Sequence, residues 1–370
     1  MTIISGKGPL AGIRIVEFAS IGPGPHCAML LSDLGAEVLR IDREGGNGWP
    51  NAIADRGRAT TTVDIRTPEG KSFCLEACDM ADMIIEGFRP GVMERLGLGP
   101  DVLLERNARL IYGRMTGWGQ DGPLAQTAGH DINYIALAGA LDAIGEPGRR
   151  SIPPLNLLGD FGGGSMLLAF GLVAALYERE RSGRGQVVDA AIVDGVASLM
   201  SFFDGLRQNG RISLDRSENV LAGNAPFYRT YLCRDGCEIA VGALEEKFYM
   251  QLINMIGAPA DFLANQYDSS NWEGRAERLA EIFAQRNLAD WMALLEGKDV
   301  CVTPVIKLSE VQDHHHMKAR SIYVEKDGDA QCAPAPRFSR TPGEIQYPRI
   351  ASELLDMWRS APSRYNANSD

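Results

Sequence analysis

Arg14-Ile15-Val16-Glu17-Phe18, then Gly22-Pro23-Gly24-Pro25, an apolar segment at 27–34 and Glu37-Val38-Leu39-Arg40-Ile41 follow one another near the start of the chain. The first run is β-branched and apolar, which predicts a strand. The Gly-Pro-Gly-Pro stretch predicts a turn, the apolar segment a helix, and the last run a second strand. Strand, turn, helix, strand is a βαβ unit, whose crossover implies a parallel sheet covered by helices. The pattern recurs. Thr67-Pro68 opens a helix with a cap residue and a proline in its first turn, and 83–86 and 110–115 supply further strands. A Rossmann-like α/β lobe follows. No Gly-x-Gly-x-x-Gly opens a helix after the first strand, because Gly22 and Gly24 are interleaved with prolines, so the dinucleotide fingerprint is missing.

At 370 residues the chain exceeds the size at which one core stops growing, so two lobes are expected. The formal net charge of −11 argues against nucleic acid or an anionic membrane as partner. Against that acidic background Arg40, Arg43, Arg56, Arg58, Arg66, Arg89 and Arg95 gather early in the chain. Solvated arginines are one reading; a phosphate-bearing ligand held by some of them is the other, since guanidinium matches phosphate oxygens in a bidentate way. Seven scattered cysteines do not form a disulfide framework, and a reducing cytoplasm is the expected compartment. No signal-peptide run, membrane-spanning segment or peroxisomal address is expected from the sequence. The His314-His315-His316 run reads as a solvated loop, and no metal site is expected.

Two further stretches carry chemistry. Gly129-His130-Asp131-Ile132-Asn133-Tyr134 and Leu155-Asn156-Leu157-Leu158-Gly159-Asp160-Phe161-Gly162-Gly163-Gly164-Ser165 each frame a titratable side chain with small or apolar residues. Burial raises a carboxylate's pKa and lowers an imidazole's, bringing His130 and Asp160 toward one another. Such a pair can remove a proton from carbon on one face and return it on the other. The glycine run is expected to lead into a helix over 165–177, whose first N–H groups would face an enolate oxygen. Asn156 either holds the Asp160 carboxyl or is a turn residue. His26 reads as structural. Met115 and Met166 are candidates for an adaptable apolar surface, or for core. Beyond a turn at 181–185, a strand is expected at 186–188 and a connecting helix over 194–212. The second lobe should begin near Asn224, with a hairpin around Asp235-Gly236 and helices at 248–256, 275–285 and 289–295. Residues 334–338 read as irregular and those from about Ser360 as frayed.

These motifs, with Gly22-Pro23-Gly24-Pro25-His26, resemble the α-methylacyl-CoA racemases of the family III CoA-transferase (CaiB/BaiF) superfamily, from about Pro9 to about Arg340. The resemblance implies a large CoA-binding α/β domain at 1–190 with the tail 335–370 returning to it, and a small α+β domain at 225–315. Residues 191–224 and 316–334 would be linkers. It also implies an interlocked homodimer and an acyl-CoA substrate, with no separate cofactor. Position by position, His130 and Asp160 match the catalytic pair, and Glu245, with Glu246 as its neighbouring alternative, matches a glutamate reaching the histidine from the partner chain. The CoA contacts correspond to Arg43, Val63, Asp64, Ile65, Arg66, Gly87, Phe88, Arg89, Arg95 and the segment Gly129, His130, Asp131, Ile132, Asn133, Tyr134. Racemisation of 2-methylacyl-CoA is the activity implied. The alternatives are a CoA-transferase using Asp160 as nucleophile and a non-catalytic acyl-CoA binding protein. Against the transferase stand the second base at His130 and the lack of a Gly-Gly-Gly-Gly loop in the second lobe.

Overall fold

Six strands, β1 (Arg14–Phe18), β2 (Glu37–Asp42), β3 (Arg58–Thr62), β4 (Met83–Glu86), β5 (Ile111–Thr116) and β6 (Val187–Ala191), lie in the order β3-β2-β1-β4-β5-β6 with every neighbouring pair parallel. The structure is a computed structural model that describes residues 7–326 and 328–361. The intervening helices are α1 (Pro23–Asp33), α2 (Pro68–Asp79), α3 (Val92–Arg95), α4 (Pro100–Arg106), α5 (Asp131–Leu137) and α6 (Met166–Ser182), and α7 (Ile192–Gln208) follows β6. β1 is buried along its whole length, as a central parallel strand covered on both faces must be. Each fully buried Ile, Val or Phe contributes about 1.5–3 kcal/mol. The sheet grows outward from β1 to β3, then restarts at β4 on the other side of β1. Ligands of open parallel sheets bind beyond the strands' carboxyl ends at such a switch point.

Local chemistry accounts for these elements, with departures from expectation. Thr67 Oγ1 accepts the Gly70 N–H at 3.0 Å, the anticipated cap of α2. The Gly-Pro-Gly-Pro stretch is not a free turn. Pro23 starts α1, and Gly22, with φ of 75°, precedes it; proline suits a first helical turn, where its missing N–H costs no hydrogen bond. β3 is a strand the hydrophobic pattern does not predict, because Arg-Ala-Thr-Thr-Thr carries little apolar signal.

The helix after Asp160 is longer than expected. A π-helical segment, Leu157–Ser165, runs directly into α6, and together they make a 26-residue helix long and apolar enough to cross a membrane by length and composition. This corrects the expectation that no segment reaches that length. The glycines expected to lead into the helix lie within it. Leu168 and Leu172 are buried, with side chains close to Gly113 of β5, so one side of this helix covers the sheet.

By contact pattern the chain divides into two units, Met1–Ala138 with Leu155–Leu199 and Ser321–Asp370, and Gly139–Pro154 with Met200–Arg320. The expected large domain thus gives residues 139–154 to the second unit, and the expected linker at 191–224 is divided between the units, 191–199 in the first and 200–224 in the second. The second unit contains β7 (Tyr228–Leu232), β8 (Glu238–Gly242) and β9 (Val302–Pro304), paired antiparallel. Around them lie α8 (Glu246–Ile256), α9 (Trp272–Phe283) and α10 (Leu288–Leu295), over a core that includes Phe227, Trp272, Phe283 and Trp291, and the short α11 (His315–Ala319) follows without a buried residue. Gly236, with φ of 76°, makes the β7–β8 turn, where the Cys233 N–H donates to the Cys237 carbonyl at 2.8 Å. The tail returns to the first unit as a hairpin, β10 (Tyr323–Lys326) and β11 (Asp329–Cys332), and as α12 (Ala351–Ser360), whose Trp358 donates to Glu37 Oε2 at 2.8 Å. Residues 334–338 form no regular element. Of the stretch expected to fray, residues 362–370 lie outside the described residues.

Candidate active site

Asp160 sits on the widened turns of the π-helical segment. The Phe161 N–H donates to the Asn156 carbonyl at 3.3 Å and the Met166 N–H to the Phe161 carbonyl, both five residues back. Such turns cluster at functional sites. Glycine makes this one possible by close approach. A Cβ on Gly195 of α7 would overlap the Gly163 carbonyl, and one on Gly159 would collide with Asp131 Oδ2. That same oxygen accepts the Asp160 N–H at 2.7 Å, while Asn156 Nδ2 donates to Asp160 Oδ2 at 3.1 Å. Asn156 therefore holds the carboxyl. Burial raises the Asp160 pKa; the Asn156 hydrogen bond lowers it, the Asp131 charge adds to the rise, and His130 opposes it. The expectation of free N–H groups at a helix start after Asp160 does not hold, because the helix has already begun. The Asp160 N–H is itself committed to Asp131.

His130 caps α5, its N–H bonded to Asn133 Oδ1 at 3.0 Å and its imidazole exposed. Asp131, the first helical residue, is buried. Its carboxylate points into the fold, so its place among the expected CoA contacts is limited to its backbone; the side chain ties α5 to the Asp160 turn. The Tyr134 hydroxyl donates to the Gly129 carbonyl at 2.5 Å, and its ring meets Trp118 edge-on at 4.7 Å. Burial raises the Tyr134 pKa, Asp160 adds to the rise and Arg89 opposes it. His130, Asp131, Tyr134, Asp160 and Arg89 thus share one electrostatic neighbourhood. His26 packs behind it, Nδ1 2.6 Å from Ser165 Oγ and the ring 4.8 Å from Phe161, with burial, then Arg58 and Arg56, depressing its pKa.

Parallel topology brings most of the other expected CoA contacts to one edge. Arg43 follows β2, Val63 to Arg66 follow β3, and Gly87 to Arg89 follow β4, all at carboxyl ends, with Arg95 on α3. Arg43, Arg66, Arg89 and Arg95 are exposed, as are Ile132 and Asn133. Val63, Ile65 and Phe88 are half-buried against the core. Arg66 pairs with Asp64 through two hydrogen bonds of 2.8 Å, which hold that carboxyl at about 2. Gly87 lies against Ser20 of the β1 loop, and Gly22 of the same loop lies against Asp160. The switch point therefore joins the arginine edge to Asp160. Arg40, Arg56 and Arg58 are corrections to the phosphate reading. They are buried and paired with Asp42 and Asp55, with Asp33, and with Glu17 respectively.

Glu245 lies in the second unit as the N-cap of α8, exposed, its carbonyl accepting the Phe248 and Tyr249 N–H groups at 3.0 Å; Glu246 is the first helical residue. The histidine run is more ordered than a solvated loop. Glu296 Oε1 lies 3.7 Å from His314 Nε2 and 3.6 Å from His315 Nε2. His314 Nδ1 accepts the His316 N–H at 3.3 Å, which puts that ring's proton on Nε2, facing the carboxylate. Met115 is core and Met166 is exposed. Sequence reasoning missed the buried Glu86 below the Gly87 loop. Its one signal was a carboxylate closing an apolar parallel strand.

Residues 10–350 match the model of CoA-transferase family III. The chain is 44% identical over 335 residues to an α-methylacyl-CoA racemase of Mus musculus, covering 90% of this chain and 87% of that one. It is 42% identical over 369 residues to an α-methylacyl-CoA racemase of Homo sapiens, covering 98% and 96%. The crystal structure of a CaiB/BaiF family protein from Brucella suis shares the fold, with a TM-score of 0.81 at 24% identity over 95% of this chain and 98% of that one.

Proposed function

The chain belongs to CoA-transferase family III, and from that premise we propose that it is an isomerase interconverting (2R)- and (2S)-2-methylacyl-CoA thioesters through an enolate. The observation that carries this is Asp160, whose half-buried carboxyl, with a raised pKa, accepts from Asn156 in the electrostatic reach of His130 while its backbone N–H donates to Asp131. A hydrogen α to a thioester is a weak carbon acid, so one group must remove it while another stands protonated. Unperturbed values of about 3.9 for Asp and about 6.5 for His are too far apart for quick exchange of roles. Raising the carboxyl narrows that gap. His130 then serves one face of C2 and Asp160 the other.

The acyl-CoA head would lie along the carboxyl edge. From β3 to β4 the sheet spans three strand spacings, about 14 Å, a distance suited to an extended nucleotide, with Arg43, Arg66, Arg89 and Arg95 offered to its phosphates. CoA enters as part of the substrate, with no resident cofactor, and the odd cysteine count supports a reducing, cytoplasmic setting. A homodimer is supported by the outer stripe of α6. Met166, Phe170, Val173 and Tyr177 recur at helical spacing, and Phe170 and Tyr177 are 72% and 68% exposed.

The test of function is incubation of each pure 2-methylacyl-CoA epimer in deuterated water. Loss of configuration with deuterium entering at C2 is expected. Transfer of CoA to an added carboxylate, without exchange, would replace this reading with the transferase one, and binding with neither reaction would leave only a binding protein. In the dimer we place Glu245 of one chain against His130 of its partner, where it would orient the imidazole. Refolding a mixture of inactive His130→Ala and Glu245→Ala chains should then restore activity, because each mixed dimer holds one intact site. Demonstrated heterodimers without activity would reject the pairing.

A further inference from the structure

Below the Gly87–Arg89 loop, Glu86 closes β4 with its side chain fully buried. Its Oε2 accepts the Phe88 N–H at 2.7 Å, and its Oε1 accepts Arg114 Nε at 3.0 Å from the paired position on β5. The other side of the Arg114 guanidinium grips Glu94 on α3, at 2.8 and 3.3 Å. Glu94 precedes Arg95, and Phe88 precedes Arg89. One guanidinium therefore links the backbone of the loop carrying Arg89 to the short helix carrying Arg95. The titratable and charged groups facing Glu86 are Arg114 and Tyr112 on β5 and Glu94 on α3; the Tyr112 hydroxyl is occupied with the Leu98 carbonyl at 3.0 Å.

We propose that Glu86 is a positioning residue for acyl-CoA binding, whose ionised carboxylate fixes the Phe88 N–H and Arg114 and so aims Arg89 and Arg95, and whose protonation loosens both. This rests on the reading of that loop and helix as CoA contacts. Two carboxylates share one cation, and the surplus charge is hardest to keep on the buried one. Burial pushes Glu86 up to about 7, against the opposing pull of the Phe88 N–H and Arg114, with Glu94 adding to the rise. The group is thus half-ionised near neutrality, and CoA affinity should fall as pH drops through that range. Repulsion between ionised Glu86 and the phosphates works the other way but is the weaker effect. Arg114 neutralises the carboxylate locally, and charges in solvent are screened within about 8 Å.

The experiment is calorimetric titration with CoA and with 3′-dephospho-CoA between pH 6 and pH 8; the second ligand removes the titration of the 3′-phosphate itself. For wild type, binding of both ligands should weaken by up to about tenfold toward pH 6, the effect of a one-unit difference in pKa between free and bound protein. Glu86→Gln should bind at pH 8 about as weakly as wild type at pH 6 and show no slope for 3′-dephospho-CoA. Should that variant fail to fold, Glu94→Gln decides, since Glu94 is partly exposed. It removes the Glu94 charge that adds to the rise of Glu86 and frees the Arg114 hydrogen bonds made to Glu94, so the midpoint should move to lower pH. An unchanged slope in Glu86→Gln, an unmoved midpoint in Glu94→Gln, or pH-independent wild-type binding of 3′-dephospho-CoA overturns the proposal while sparing the acyl-CoA reading. Absence of CoA binding by wild type at every pH overturns both.

Discussion

Asp160→Asn is expected to lower racemisation by about 10²–10⁴-fold, the usual cost of removing a positioned proton-transfer group, while leaving the protein folded. The substitution keeps the size of the side chain, and the backbone bond from residue 160 to Asp131 is untouched because it uses the main-chain N–H. In the proposed mechanism it removes the one group that gives and takes a proton on its face of C2, while His130 still serves the opposite face. The variant should therefore exchange the C2 hydrogen of one epimer slowly with retention of configuration and leave the other epimer inert. His130→Ala should favour the opposite epimer. The measurement is loss of the C2 proton signal by NMR for each pure epimer in deuterated water. Racemisation near the wild-type rate would remove Asp160 from the mechanism, and equal residual exchange of both epimers would remove the two-face arrangement.

The elements around this residue differ in how far the sequence disclosed them. β1 and β4 are short apolar runs between turn signals, and in a covered parallel sheet that pattern has few other outcomes. His130 and Asp160 stood out because each is a titratable group framed by small residues. Their connection did not. Asp131 reaches across to the Asp160 N–H, between residues 29 apart in the chain, and nothing in either local pattern specifies it. The glycines at 162–164 misled because glycine usually interrupts helices. Here the bare backbone lets the helix press against α7, so close packing overrides propensity. The arginines divide in the same way. Residue type and sign were visible, but burial depends on carboxylates distant in sequence. Among the described residues Arg43, Arg66, Arg89 and Arg95 have no buried partner and stay at the surface, whereas Arg56 meets Asp33 and Arg58 meets Glu17.

That division predicts the largest change in stability. Arg58→Met should destabilise the fold by about 3–5 kcal/mol, the typical effect of stripping one partner from a buried ion pair. Arg58 donates through Nε to Glu17 Oε2 at 3.0 Å, and through its other nitrogens to the Ala54, Arg56 and Pro25 carbonyls. Those bonds clamp the chain before β3 to α1. Glu17 is fully buried on the central strand, so the variant leaves a carboxylate with no water. Burial already raises its pKa, with Arg58 and then Arg40 opposing, and losing Arg58 raises it further. The sign of the pH effect follows. A group whose folded pKa lies above its unfolded value costs nothing below the unfolded pKa, near 4.5 for this glutamate, and its penalty grows as pH rises toward the folded pKa. The deficit of Arg58→Met against wild type in urea denaturation should thus be greatest near pH 8 and shrink toward pH 5. Adding Glu17→Gln should recover part of it at pH 8, because no charge then remains to be buried. A deficit independent of pH, with no recovery in the double variant, would mean that the carbonyl bonds rather than the ion pair hold β3 in place.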